Sequence, residues 1–181
     1  METNLCVAGF GGQGIMTLGK FLADATCNST DKNVTFFPSY GAEQRGGTAN
    51  CFVVISDEII GAPLGDIMDD LIVMNNASLE KFLKTLKKGG NLFINSSIIK
   101  NDIKRGDINV IKAPVTELAL EMGNSKVLNV IMLGVYVGYT GIISPEIVWK
   151  TIESKLSGKP KLLPLNKIAF EKGIEIGKSK K

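Results

Sequence analysis

The sequence predicts an α/β fold: a Rossmann-like, mostly parallel sheet with helices on both faces. Three observations predict it. Short apolar runs alternate with segments of helical spacing along the chain. The run "DLIVMN" at 70–75 is continuously apolar, as in a strand covered on both faces. The first run, Leu5–Ala8, leads through "GFGGQG" at 9–14 into a helical pattern.

The elements follow in order. Ile15, Leu18, Phe21, Leu22 and Ala25 recur at helical spacing after Gly14, to about Thr26. "NVTFF" at 33–37 is a strand stopped by Pro38, and "CFVVIS" at 51–56 is another. "EIIGAPL" at 58–64 reads as a hairpin return. Asn76 or Ser78 caps the helix "SLEKFLKTLKK", whose basic end is stopped by Gly89-Gly90. Strands follow at 91–95 and 108–113, then a helix with Thr116 as cap and Gly123 as stop. The run "VLNVIMLGVYVGYTGII" at 127–143 is too short for a membrane span, carries Asn129, and reads as a buried helix over 126–140. Its Gly134 and Gly138 lie on one face, which serves either the core or a partner subunit. Ser144-Pro145-Glu146 opens the next helix, and a last helix starts near Pro164. No linker or repeat interrupts the pattern, so residues 1–181 are expected to form one domain.

Composition excludes several functions. Net charge is +3 with scattered basic residues, which does not describe a nucleic-acid surface. The chain has no histidine, which removes Ser–His and Cys–His dyads and His-ligated metals. Its three cysteines, Cys6, Cys27 and Cys51, lack the spacing of a zinc or iron–sulfur site. Unpaired cysteines and the absence of a basic leader predict a cytoplasmic protein, and no run predicts membrane insertion.

The spacing Gly9-x-Gly11-x-x-Gly14 suits a turn that cradles a pyrophosphate. A dinucleotide site also needs an acid at the end of the second strand. That strand ends "TFFPSY", and Asp31 precedes it. NAD binding by a free-standing enzyme is therefore disfavoured. Two readings of Gly11, Gly12, Gln13 and Gly14 stay open: an anion seat, or a tight turn packed on a neighbour. Gln13 is placed to meet a bound group. Gly65-Asp66 and Asn75-Asn76 do not make a thiamine diphosphate signature, because the second glycine and the proper gap are missing. The segment "PSYGAEQRGGTAN" at 38–50 sets Tyr40, Glu43 and Arg45 beside Gly46-Gly47. Arginine is the natural fork for phosphate or carboxylate, and strand-end loops of parallel sheets gather sites.

"AGFGGQGI", "PSYGAEQRGGTANC", "LIVMNNASLEKF" and "GGNLFINSS" together resemble the gamma subunit of the 2-oxoacid:ferredoxin oxidoreductases, over essentially the whole chain. The arginine segment is closest to the 2-oxoglutarate branch, with Ala42-Glu43-Gln44 departing from the family's Pro and Met around the Glu. The resemblance implies a subunit that is not catalytic alone. It would assist coenzyme A-dependent oxidative decarboxylation of a 2-oxoacid, 2-oxoglutarate by the branch it most resembles, to acyl-CoA. Thiamine diphosphate, magnesium and iron–sulfur clusters would lie in partner subunits. The implied partners are alpha, beta and delta subunits, with ferredoxin as electron acceptor; a homodimer of the isolated chain stays open. Gly11, Gly12, Gln13, Gly14, Tyr40, Glu43, Arg45, Gly46 and Gly47 would border coenzyme A. A purely structural role for these loops is the alternative.

Overall fold

A computed structural model describes residues 1–39 and 48–181. Six strands form one sheet in the order β2-β3-β1-β4-β5-β6. They are β1 (Glu2–Phe10), β2 (Asn33–Ser39), β3 (Thr48–Ser56), β4 (Met68–Val73), β5 (Leu86–Asn95) and β6 (Asn109–Ala113). β1, β4, β5 and β6 pair in parallel, and β3 runs against both β1 and β2. Five strands therefore share one direction, and β3 alone is reversed. The mostly parallel expectation holds. β2 and β3 are consecutive in the chain, and the eight residues between them are fewer than a crossover connection between parallel strands needs.

The helices are α1 (Ile15–Ser29), α2 (Asn76–Phe82), α3 (Val115–Glu121), α4 (Leu128–Thr140), α5 (Pro145–Lys155) and α6 (Leu163–Lys178). Alternation along β1 sorts the core into two layers. Leu5 and Val7 face the cluster built with α1, α3, α4, α5 and α6. Cys6 and Ala8 face a smaller cluster built with α2. Helices cover both faces, unequally.

α4 is apolar all round because it is enclosed all round. Residues 128–138 are buried. On one side Tyr136 meets Phe93 of β5, ring centroids 5.2 Å apart. On the other, Gly134 and Gly138 face Gly173 and Gly177 of α6, and the backbones nearly touch: a Cβ on Gly173 would lie 2.1 Å from the Ile131 carbonyl oxygen. Of the two readings of Gly134 and Gly138, the core one holds and the partner-subunit one is corrected. The chain's own last helix fills that face. No helix among the described residues is long and apolar enough to cross a membrane.

Five local expectations are also corrected. Residues 58–64 form no strand; the segment crosses from the end of β3 to the start of β4. The helix expected to run to Lys88 ends at Phe82, because β5 already starts at Leu86. Lys87 then ion-pairs with Asp69 instead of neutralising a helix end. Gly89 and Gly90 form a bulge within β5, where pairing jumps from Met68↔Leu86 to Asp70↔Asn91 and Gly89 has φ +73°. The cap of α2 is Asn75, whose Oδ1 accepts from the Ser78 amide at 2.8 Å. Thr116 does not cap α3; its hydroxyl accepts from Asn95 Nδ2 at 2.8 Å.

One buried polar cluster lies toward the amino edge of the sheet. Asp70 is buried and accepts from Tyr136 Oη at 2.9 Å and Asn91 Nδ2 at 2.7 Å. Burial pushes its carboxyl above the ordinary range, against the two donors. The folded chain thus holds this proton more tightly than the unfolded chain does. That contribution is full below the unfolded pKa and is lost as pH rises through the folded one. Asp70→Asn should therefore gain stability relative to the parent as pH is raised from about 4 to about 8. Urea unfolding across that range checks it; a difference independent of pH would contradict it.

Candidate site at the carboxyl edge of the sheet

β1 delivers its chain to the carboxyl edge of the sheet at Phe10, and the glycine turn follows. Gly11 and Gly12 are exposed. Gly12 and Gly14 have φ +91° and +72°, a region that favours glycine. α1 then starts at Ile15 with no acidic residue in its first turn. Its first amides have no intrahelical acceptor, and the helix dipole places partial positive charge there.

The turn is clamped from below. Gln13 Oε1 accepts from the Phe10 amide at 2.7 Å and from Asn75 Nδ2 at 3.4 Å. Gln13 Nε2 donates to the Met74 carbonyl at 3.4 Å. Gln13 thus ties the turn to the carboxyl end of β4, and its side chain is engaged within the protein. From α4, Asn129 Nδ2 donates to the Gly14 carbonyl at 3.3 Å. A Cβ on Gly14 would lie 2.5 Å from that nitrogen. Asn75 and Asn129 are both buried, and the sequence reading gave neither a role here. Asn129 was legible as the lone amide in an apolar run, a polar group that must find a partner.

Of the expected site residues, the structure brings Gly11, Gly12, Gln13 and Gly14 together in this turn. Tyr40, Glu43, Arg45, Gly46 and Gly47 lie outside the described residues. The strands that flank them are described. Thr48, the first residue of β3, pairs with Phe10, the last of β1. Ser39, the last of β2, pairs with Asn50. Both flanks thus stand at the sheet edge from which the glycine turn leaves. Lys81 of α2 joins this edge; its ammonium lies 3.5 Å from Thr48 Oγ1 and 5.2 Å from the Phe82 ring centroid. It is an exposed cation to which the sequence pattern alone gives no role.

The described residues do not fit a metal or an iron–sulfur cluster. Among the described residues, no three His, Cys, Asp or Glu side chains converge. Cys6 and Cys51 are buried. Burial, with Cys51 nearby, pushes the Cys6 thiol far up. Burial raises Cys51 to about 12 despite a backbone hydrogen bond from Gly19. Neither is a thiolate near neutral pH. Asp66 is exposed in the 57–67 segment and Asn75 is a helix cap, so neither belongs to a thiamine diphosphate site. Asp31 precedes β2, at the opposite edge from the turn, where it cannot serve a ribose.

The family model for pyruvate ferredoxin/flavodoxin oxidoreductase matches residues 4–176. Ketoisovalerate oxidoreductase subunit VorA of Methanothermobacter thermautotrophicus is 36% identical over 176 residues, covering 96% of this chain and 36% of VorA. 2-Oxoglutarate synthase subunit KorC of Methanocaldococcus jannaschii is 33% identical over 181 residues, covering 98% of this chain and 95% of KorC. The chain thus spans little more than a third of VorA but nearly all of KorC. Among solved structures, the gamma subunit of a keto/oxoacid ferredoxin oxidoreductase from Geobacter sulfurreducens matches with TM-score 0.89 and 26% identity, over 99% of this chain and 98% of that one. The 2-oxoglutarate:ferredoxin oxidoreductase of Magnetococcus marinus, solved with 2-oxoglutarate, coenzyme A and succinyl-CoA bound, matches with TM-score 0.91 and 26% identity, over 98% of this chain and 31% of that one. With its fold and most of its length matched, this chain belongs to the pyruvate ferredoxin/flavodoxin oxidoreductase family.

Proposed function

We propose that residues 1–181 act as one domain, the gamma subunit of a 2-oxoacid:ferredoxin oxidoreductase, and that its carboxyl-edge site receives coenzyme A. The observation that carries the reading is the Phe10↔Thr48 pairing, which starts the arginine segment's return strand beside the glycine turn. Backbone amides after Gly11 and the guanidinium of Arg45 suit a phosphate of coenzyme A. Tyr40, Glu43, Gly46 and Gly47 would shape the same rim. Gln13 would act by holding the turn, since its amide is bonded inward.

The near full-length match to KorC favours 2-oxoglutarate as the acid consumed. The described residues gather no ligand cluster for the redox chemistry, so alpha, beta and delta partners would hold thiamine diphosphate, magnesium and iron–sulfur clusters and pass electrons to ferredoxin. Such a complex would work in the cytoplasm, with no role for nucleic acid or a membrane.

Arg45→Ala in the assembled complex tests the site. Losing a charge-assisted phosphate contact should raise KM for coenzyme A about 10- to 100-fold, with kcat at saturation nearly unchanged. Arg45→Lys should recover part of it. Unchanged KM, or loss of assembly in place of a KM effect, would leave the segment a structural role only.

A further inference from the structure

A cleft of about 310 Å³ runs along α1 beside the edge strand of the sheet. Met16, Thr17, Lys20 and Asp24 of α1 line it with Phe36 of β2, and Lys155 of α5 stands at one end. Both long walls lead to the rim already described. Met16 and Thr17 belong to the first turn of α1, directly after the glycine turn. Phe36 lies three residues before Ser39, where β2 ends and the arginine segment continues. From Met16 to Asp24 the cleft follows about 12 Å of helix.

The cleft joins an aromatic wall to an open positive charge. Phe36 is half-buried and packs on α1 at Gly19, where a Cβ would come within 3.1 Å of its Cε2. A phenyl ring left partly uncovered is a surface on which a base stacks. Asp24 is the i+4 neighbour of Lys20 and its natural partner on the helix. Its carboxylate is instead taken by Lys155 Nζ from α5 at 2.9 Å, which closes the far end. Lys20 is exposed and enters no ion pair among the described residues. Its ammonium is thus left over, midway between the turn and that closed end. The volume is at the small end of the range for ligand pockets, room for a nucleoside and not for a whole cofactor.

We propose that this cleft takes the adenosine end of coenzyme A, with adenine against Phe36 and the ribose phosphate on Lys20. Coenzyme A joins that end to its pantetheine arm through a pyrophosphate. With the pyrophosphate on the amides after Gly11, the adenosine has to leave the turn along one side. The α1–β2 cleft begins at that turn and offers a stacking wall and an ammonium in order. The thiol arm then points away from it, out of this chain. Lys81 of α2 is the competing seat, on the opposite face of the sheet. The inference deepens the coenzyme A reading and rests on it.

The test compares coenzyme A with dephospho-coenzyme A, which lacks only the ribose phosphate, as substrates of the assembled complex. Lys20→Ala should raise KM for coenzyme A about 10-fold and leave KM for dephospho-coenzyme A unchanged. Thr17→Tyr, which fills the cleft from an exposed position, should raise KM for both. Arg45→Ala, which removes the rim contact, should also raise both. An equal rise for the two substrates in Lys20→Ala overturns the phosphate seat. A selective loss of coenzyme A in Lys81→Ala in place of Lys20→Ala puts the phosphate on the other face and overturns the cleft. If Lys20→Ala and Thr17→Tyr leave KM unchanged while Arg45→Ala raises it, the cleft falls and the coenzyme A site stands. If all three leave KM unchanged, both readings fall together.

Discussion

Gly173→Ala is expected to lower the stability of the chain by about 3 kcal/mol or more, and its melting temperature by about 10 °C. The added methyl would meet the Ile131 carbonyl oxygen at 2.1 Å, against 2.9 Å to Gly134 Cα. Those are backbone atoms, so no side chain can turn away. α6 would have to lift off α4, opening the layer that Phe170, Ile131 and Val135 fill. Gly177 repeats the situation, with a Cβ 2.2 Å from the Val135 carbonyl oxygen. Gly158→Ala supplies the contrast, since nothing lies within 4 Å of its Cβ position. Thermal and urea unfolding of the three variants measure the difference. A Gly173→Ala chain as stable as the Gly158→Ala chain would mean that the two helices are not in backbone contact.

The second large effect is expected at the turn. Gly12→Ala should cost only the left-handed backbone strain, about 1–2 kcal/mol, because its Cβ position is open. Gly14→Ala should cost that and more, about 3 kcal/mol, because the methyl falls 2.5 Å from Asn129 Nδ2. Asn129→Ala in the same chain should relieve the added part, visible as a coupling energy in a double-mutant cycle. Equal costs at Gly12 and Gly14, with no coupling to Asn129, would show that α4 does not brace the turn.

Period and punctuation made the sheet and most helices legible. β1, α1, β4, β6, α4 and α5 stand within a few residues of where apolar spacing, Ser144-Pro145 and Gly123 place them. The misses have local causes. Lys84, Lys87 and Lys88 look like a basic helix end, yet Lys87 is claimed by Asp69 across the sheet, a long-range pairing that no window of sequence contains. Gly89-Gly90 punctuates a strand bulge as readily as a helix end. At the site, the glycines declared the turn, but the bracing groups, the Met74 carbonyl and the Asn129 side-chain amide, come from 61 and 115 residues away. Gln13 read as a ligand group because its spacing is that of one. Its partners at Phe10, Met74 and Asn75 became visible only once β4 lay beside β1.

In the proposed function, the glycine turn and the arginine segment share one rim that receives coenzyme A. Hydrogen exchange on the assembled complex, with and without saturating coenzyme A, tests it most directly. Amides in peptides covering 9–17 and 36–50 should both exchange more slowly with coenzyme A bound, and those of α5 should not change. Unchanged exchange in both peptides, while protection appears elsewhere in the complex, would contradict it.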